Sequence, residues 1–263
     1  MPPNPRHVLI TGSTSGIGEA AALAFAHSGD TVYVNGRDQD RTAAAAERIR
    51  HAAGEYAGEI IAIAADIATA DGAQQIFTAV PDLDVLVNNA GIFTETPPFE
   101  ITDDEWRRHF EVNVLSGVRL TRHYAPRMAE RGWGRVIFIS SECGVTTPPE
   151  MIHYGMTKSA QLAVSRGFAI GVAGTGVTVN AVLPGPTRTP GAEDFVAKMY
   201  GGVPFEEAER RYFADIRPAS LLQRFCLPSE VANLIHYVAS DRASATTGAA
   251  LRVDGGVIAT IIP

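Results

Sequence analysis

The chain has 263 residues, 46% of them hydrophobic, and a mean hydropathy of +0.03, enough apolar material for a sizeable core in one α/β domain. A formal net charge of −7, with no basic run to neutralise successive phosphates, argues against a nucleic-acid partner. MPPNPRHVLIT lacks the apolar core and cleavage site of a signal peptide, and no apolar stretch is long enough to span a bilayer. Cys143 and Cys226 form neither a metal-ligand spacing nor a disulfide framework, so the expectation is a cytoplasmic protein with no metal site and no membrane partner.

In chain order, HVLIT (7–11) is a short β-rich run that stops at glycine, and TGSTSGIG (11–18) follows at once. Apolar residues at Ile17, Ala20, Ala21, Ala24 and Phe25 mark one face of a helix, and TVYVN (31–35) reads as the second strand. An alanine-rich helix over 38–53, a strand at 59–66, a short helix over 70–79 and a strand at 84–89 come next. Thr102 and Glu105 have the spacing of a capping box that opens a long helix over 103–130. RVIFIS (135–140) is a strand, 152–173 a helix, 176–182 a strand, 229–240 the last helix and 249–255 the last strand. Strands alternating with helices predict a single domain over 1–263: a Rossmann-type, doubly wound parallel sheet of about seven strands, helices covering both faces. The Pro-, Gly- and Thr-rich stretch after Pro184, followed by several aromatics, predicts a substrate lid around 186–227, since long excursions at carboxyl strand ends cover ligands in open α/β sheets.

Gly12, Gly16 and Gly18 stand between the first strand and the first helix, where a glycine turn brings backbone N–H groups and the helix dipole to a phosphate. Their Gly-x-x-x-Gly-x-Gly spacing differs from the common Gly-x-Gly-x-x-Gly fingerprint. In MIHYGMTKSA (151–160), Tyr154 and Lys158 share a helix face, and an ammonium near a phenol favours the phenolate and mobilises its proton. His153 points about 100° away from Tyr154 on the same helix and is not read as catalytic.

TGSTSGIG, NNAG (88–91), Ser141 placed 13 residues before Tyr154, YGMTK (154–158), the Pro184-Gly185 turn and TGAALRVDGG (247–256) occur in this order. Together they resemble the short-chain dehydrogenase/reductase family from residue 7 to about 256. The resemblance implies interconversion of a carbonyl and an alcohol on a small molecule by hydride transfer. Tyr154 is then the general acid/base, Lys158 lowers its pKa and binds the nicotinamide ribose, and Ser141 orients the substrate oxygen. Asn113 would hold a water joining Lys158 to solvent. The implied cofactor contacts are Gly12, Ser13, Ser15, Gly16, Ile17 and Gly18 in the turn, Asp66 and Ile67 at the adenine, and Asn89, Ala90 and Gly91 beside the adenosine. Pro184, Gly185, Thr187 and Thr189 complete them at the other end, with Tyr154 and Lys158.

The acidic position that selects NAD at the end of the second strand falls on Asn35 or Gly36, and Arg37 follows. A missing carboxylate and a guanidinium favour the 2′-phosphate, so NADP(H) is expected over NAD(H), with Asp38 the alternative ribose partner. The lid aromatics and the lack of an evident arginine clamp suggest an apolar or mixed substrate. The family also implies a homotetramer or homodimer, with the apolar tail VIATIIP suited either to burial at its interface or to folding back on its own subunit. The competing reading is a cofactor-binding regulator or scaffold without turnover, which the presence of both Tyr154 and Lys158 disfavours.

Overall fold

The computed structural model describes residues 5–55 and 57–261. Its strands are β1 (His7–Ile10), β2 (Thr31–Gly36), β3 (Ile60–Ala64), β4 (Val85–Asn88), β5 (Gly134–Ile139), β6 (Val177–Pro184) and β7 (Ala250–Val253). They form one seven-stranded sheet in the order β3-β2-β1-β4-β5-β6-β7, every pair parallel. The α-helices are α1 (Gly16–His27), α2 (Gln39–Ala53), α3 (Ala70–Ala79), α4 (Asp103–Phe110), α5 (Ser116–Glu130), α6 (Ile152–Gly171), α7 (Pro190–Met199), α8 (Phe205–Asp215) and α9 (Pro228–Val238).

Side chains alternate across each strand, and both sets are apolar because helices cover both faces. Val8 and Ile10 of β1 pack into one layer with Phe25 of α1, Ile49 of α2 and Ile235 of α9. Leu9 packs into the opposite layer with Leu120 and Tyr124 of α5 and Ala169 of α6. Leu9, Phe25 and Leu120 are fully buried, each burial contributing about 1.5–3 kcal/mol. The doubly wound parallel architecture expected from the alternating pattern is therefore the one the chain adopts. β1 lies between β2 and β4, so the winding direction reverses there and opens a crevice at the carboxyl ends of the strands.

One expectation needs correction, and two others gain detail. The long helix over 103–130 is interrupted by a π-helical turn, Glu111–Leu115, between α4 and α5. Within this wider turn, Gln161 Nε2 of α6 donates to the Asn113 carbonyl at 2.6 Å. The stretch after Pro184 is not merely irregular: Thr189 accepts a hydrogen bond from Ala192 N to start α7, and α7 and α8 enclose a small core of Val196, Tyr212, Phe213 and Phe225. Finally, Val257 and Ile258 of the apolar tail are buried in their own subunit, while Ile261 is 94% exposed. Ile262 and Pro263 lie outside the described residues.

Candidate active site

The crevice holds two clefts that share Asn89, Gly91 and Ile92 and so form one groove. The first, about 470 Å³, collects the ends of β1 to β4. Gly12 has φ +61°, and a Cβ there would come within 2.8 Å of Ala90 Cα. The turn therefore demands glycine, and its neighbour loop fixes it. Asn89 Nδ2 donates to the carbonyls of Thr11 and Gly12 at 2.9 and 3.1 Å, and Asn89 N and Ala90 N donate to Thr11 Oγ1. At the start of α1, Ser15 makes no side-chain cap, which leaves the first N–H groups of a twelve-residue helix for an anion.

Gly12, Ser15, Arg37, Asp66, Ile67, Asn89, Ala90 and Gly91 all line this first cleft. Ser13, Gly16 and Gly18 do not: the buried Ser13 hydroxyl donates to Ile10 O and accepts from Asn35 N, and Gly18 leaves room for Asn89 Nδ2. These three shape the turn. Asp38 accepts from Arg41 N at 2.8 Å as the cap of α2. Arg41 lines the cleft beside Arg37, and among the described residues neither guanidinium has a carboxylate partner. Asn35, at the position of the expected ribose acid, donates to the carbonyls of Ile63 and Ala65 at 3.1 Å each and ties β2 to β3. The cleft thus fits a dinucleotide: it has a glycine turn, an uncapped helix start and the cations Arg37, Arg41 and Arg108 among its lining residues.

The second cleft, about 240 Å³, lies at the ends of β5 and β6 and brings together Ile17, Ser141, Tyr154, Lys158, Pro184, Gly185, Thr187 and Thr189. Ser141 leaves β5 as the cap of a 3₁₀ turn, accepting from Cys143 N at 3.1 Å. Lys158, 3% exposed, donates to Ile139 O at 2.8 Å and stands 5.4 Å from the centroid of the Tyr154 ring. Burial lowers the Lys158 ammonium to about 8. Burial also raises Tyr154 above the ordinary phenol range, with Cys143 adding to the rise and a hydrogen bond from Ser141 opposing it. Desolvation is the largest cause of the rise, and the phenol keeps its proton.

Asn113 is held by protein contacts on both sides of its carboxamide. Its Nδ2 donates to Ile92 O and Thr157 Oγ1 at 2.9 and 3.0 Å, and its Oδ1 accepts from Ile92 N at 2.8 Å. Both carboxamide donors are spent on protein, so Asn113 fastens the loop after β4 to α6 beside Lys158. His153 turns away from Tyr154, as its helical position predicts, and packs on His109 and Trp106 with Thr94 Oγ1 at 2.8 Å from Nε2.

The short chain dehydrogenase profile matches residues 6–199. The chain belongs to the short chain dehydrogenase family. It is 44% identical over 256 residues to the oxidoreductase YvaG of Bacillus subtilis, covering 96% of each chain. L-sorbose reductase from Gluconobacter frateurii, solved with NADPH and L-sorbose, superposes with a TM-score of 0.89 at 31% identity and 97% coverage of each chain. A 3-oxoacyl-[acyl-carrier protein] reductase from Brucella melitensis, solved with NAD, gives a TM-score of 0.81 at 30% identity, covering 95% of this chain and 90% of that one. This dehydrogenase is thus an NAD(P)(H)-dependent oxidoreductase of carbonyl–alcohol pairs, and the scaffold reading has no support among these relatives.

Arg41, Glu142 and Arg217, which also line the groove, were not singled out in the sequence. Arg41 follows Arg37 by four residues, a helical repeat that could have drawn notice. Arg217 stands 63 positions beyond Tyr154 in the chain, and no local pattern carries its meeting with Glu142.

Proposed function

We propose that this dehydrogenase reduces a small carbonyl compound with NADPH as preferred cofactor, Tyr154 donating the proton. The observation that carries the reading is the shared cleft: Ser141, Tyr154 and Lys158 converge where the glycine-turn groove ends. When bound, the reduced nicotinamide supplies hydride to the carbonyl carbon. Ser141 and Tyr154 hydrogen-bond the carbonyl oxygen, and Tyr154, whose phenol carries its proton at neutral pH, delivers that proton as the alcohol forms. Lys158, mostly protonated at neutral pH, stabilises the phenolate left behind and reaches the ribose hydroxyls. Asn113 keeps Ile92 and Thr157 in place beside it. Gly12, Ser15 and Ile17 hold the pyrophosphate side, Asp66 and Ile67 the adenine, Asn89 to Gly91 the adenosine, and Pro184 to Thr189 the nicotinamide side. Ser13, Gly16 and Gly18 keep the turn in shape.

Arg37 and Arg41 form the 2′-phosphate site, α7 and α8 the lid, and the enzyme works as a homodimer or homotetramer in the cytoplasm. The cofactor assignment is tested by comparing kcat/KM for one ketone with NADPH and NADH. NADPH should be favoured, and Arg37→Ala should weaken NADPH binding about tenfold or more, from the loss of a charge-assisted contact of about 1.5–3 kcal/mol, with little effect on NADH. Equal efficiency with both cofactors would overturn the assignment.

A further inference from the structure

The substrate end of the second cleft contains an ion pair that the catalytic reading does not use. Glu142, next in sequence to Ser141, is 3% exposed, and its Oε1 accepts from Arg217 Nε at 3.1 Å. Its other carboxylate oxygen, Oε2, is buried with no strong hydrogen-bond partner among the described residues, and the Cys143 thiol beside the carboxylate is only a weak donor. Arg217 enters from the segment after α8. One Nη donates to Ile216 O at 3.1 Å, while the other reaches only Cys143 Sγ at 4.0 Å, beyond a strong hydrogen bond. Around the pair the cavity wall is apolar or aromatic, with Phe93, Met151, Phe195, Tyr212 and Phe225.

A buried carboxylate oxygen without a donor costs about 1–3 kcal/mol, so a ligand that supplies one is favoured strongly over one that does not. The guanidinium beside it has N–H groups to give. One chemical group answers both needs: a hydroxyl donates one hydrogen bond and accepts another. An anionic substituent does not, because Glu142 already neutralises Arg217, and Glu95 and Glu150 add negative charge nearby. Ser141, Glu142 and Tyr154 line the same cleft, which sets the selected hydroxyl close to the reacting carbonyl.

We propose that Glu142 and Arg217 form a specificity subsite selecting a neutral hydroxyketone, whose hydroxyl donates to the Glu142 carboxylate and accepts from Arg217 while its carbonyl faces Ser141 and Tyr154. The proposal rests on the carbonyl-reduction reading above, and its product is a vicinal or near-vicinal diol. The sequence-based suggestion of an apolar or mixed pocket without an arginine is thereby narrowed to the mixed case.

The test is kcat/KM with NADPH for isosteric ketone pairs with and without the hydroxyl. The pairs begin with hydroxyacetone and butanone and lengthen on the far side of the carbonyl, with pyruvate as the anionic comparator. The expected result is a preference for the hydroxyketone of about 100-fold or more, because the analogue leaves buried polar groups unpaired. Glu142→Gln and Arg217→Met should each bring that ratio toward one, the hydroxyketone losing far more than the plain ketone. Calorimetry should show the diol binding the NADP-loaded protein more tightly than the mono-alcohol. Two results overturn the subsite and leave carbonyl reduction standing: turnover of both members of a pair at similar efficiency, or a preference for pyruvate. Equal loss with both ketones in both variants, in proteins that still melt cooperatively, assigns the pair to lid fastening and overturns the subsite too. No turnover of any ketone by protein that binds NADPH overturns carbonyl reduction and the subsite with it.

Discussion

At the scale of single residues, the site depends on two groups whose charge is set by burial. Lys158 is held at about 8, so the ammonium that supports Tyr154 is present at neutral pH and lost at moderately alkaline pH. In the direction of carbonyl reduction, kcat/KM should fall as pH rises through about 8, and Lys158→Arg, whose side chain does not deprotonate there, should shift that fall to higher pH. A profile flat from neutral pH to well above that value would contradict this role. The same titration has a stability signature of defined sign. Below the folded value both states carry the charge and the burial penalty is full. Between it and the ordinary lysine value the folded state alone gives up its proton, so stability to denaturant rises with pH across that window. Tyr154 behaves differently: its phenol is raised, and it remains an acid throughout.

At the scale of elements, strands followed from short continuous apolar runs and helices from the 3.6-residue pattern, because the strands are buried on both faces and the helices on one. The π-helical turn was not legible. Glu111–Leu115 continues the helical pattern, and only Gln161, on a helix that packs across it, takes up the carbonyl the wider turn presents. The ordered lid was partly legible: the Thr189-Pro190 start is a local signal, whereas the packing of Tyr212 against Phe225 is not. The proposed catalytic trio was readable from spacing within and just before one helix. The Glu142–Arg217 pair was not, since its partners come from different elements. Gln161 offers a test at this scale. Gln161→Leu leaves the Asn113 carbonyl without its buried partner and should cost about 1–3 kcal/mol in chemical denaturation. It should also lower kcat more than it raises KM, because Asn113 positions the backbone beside Lys158. No change in either quantity would remove Gln161 from the account.

At the scale of the whole molecule, the sheet order β3-β2-β1-β4-β5-β6-β7 places every candidate group at one edge. Gly12 follows β1, Arg37 β2, Asp66 β3, Asn89 β4, Ser141 β5 and Gly185 β6, although they span most of the chain. A parallel sheet makes this convergence automatic, since all its carboxyl ends point the same way. The fold therefore supplies a dinucleotide groove at one end and a proton donor at the other, and the central claim concerns their meeting. The most direct measurement is NADPH consumption with a ketone turned over by the wild type, repeated with Tyr154→Phe whose NADPH binding is measured separately. The account predicts that the variant binds NADPH measurably yet loses about 10²–10⁴-fold or more in kcat, the range of a positioned general acid. Turnover by Tyr154→Phe within a few-fold of wild type would contradict it.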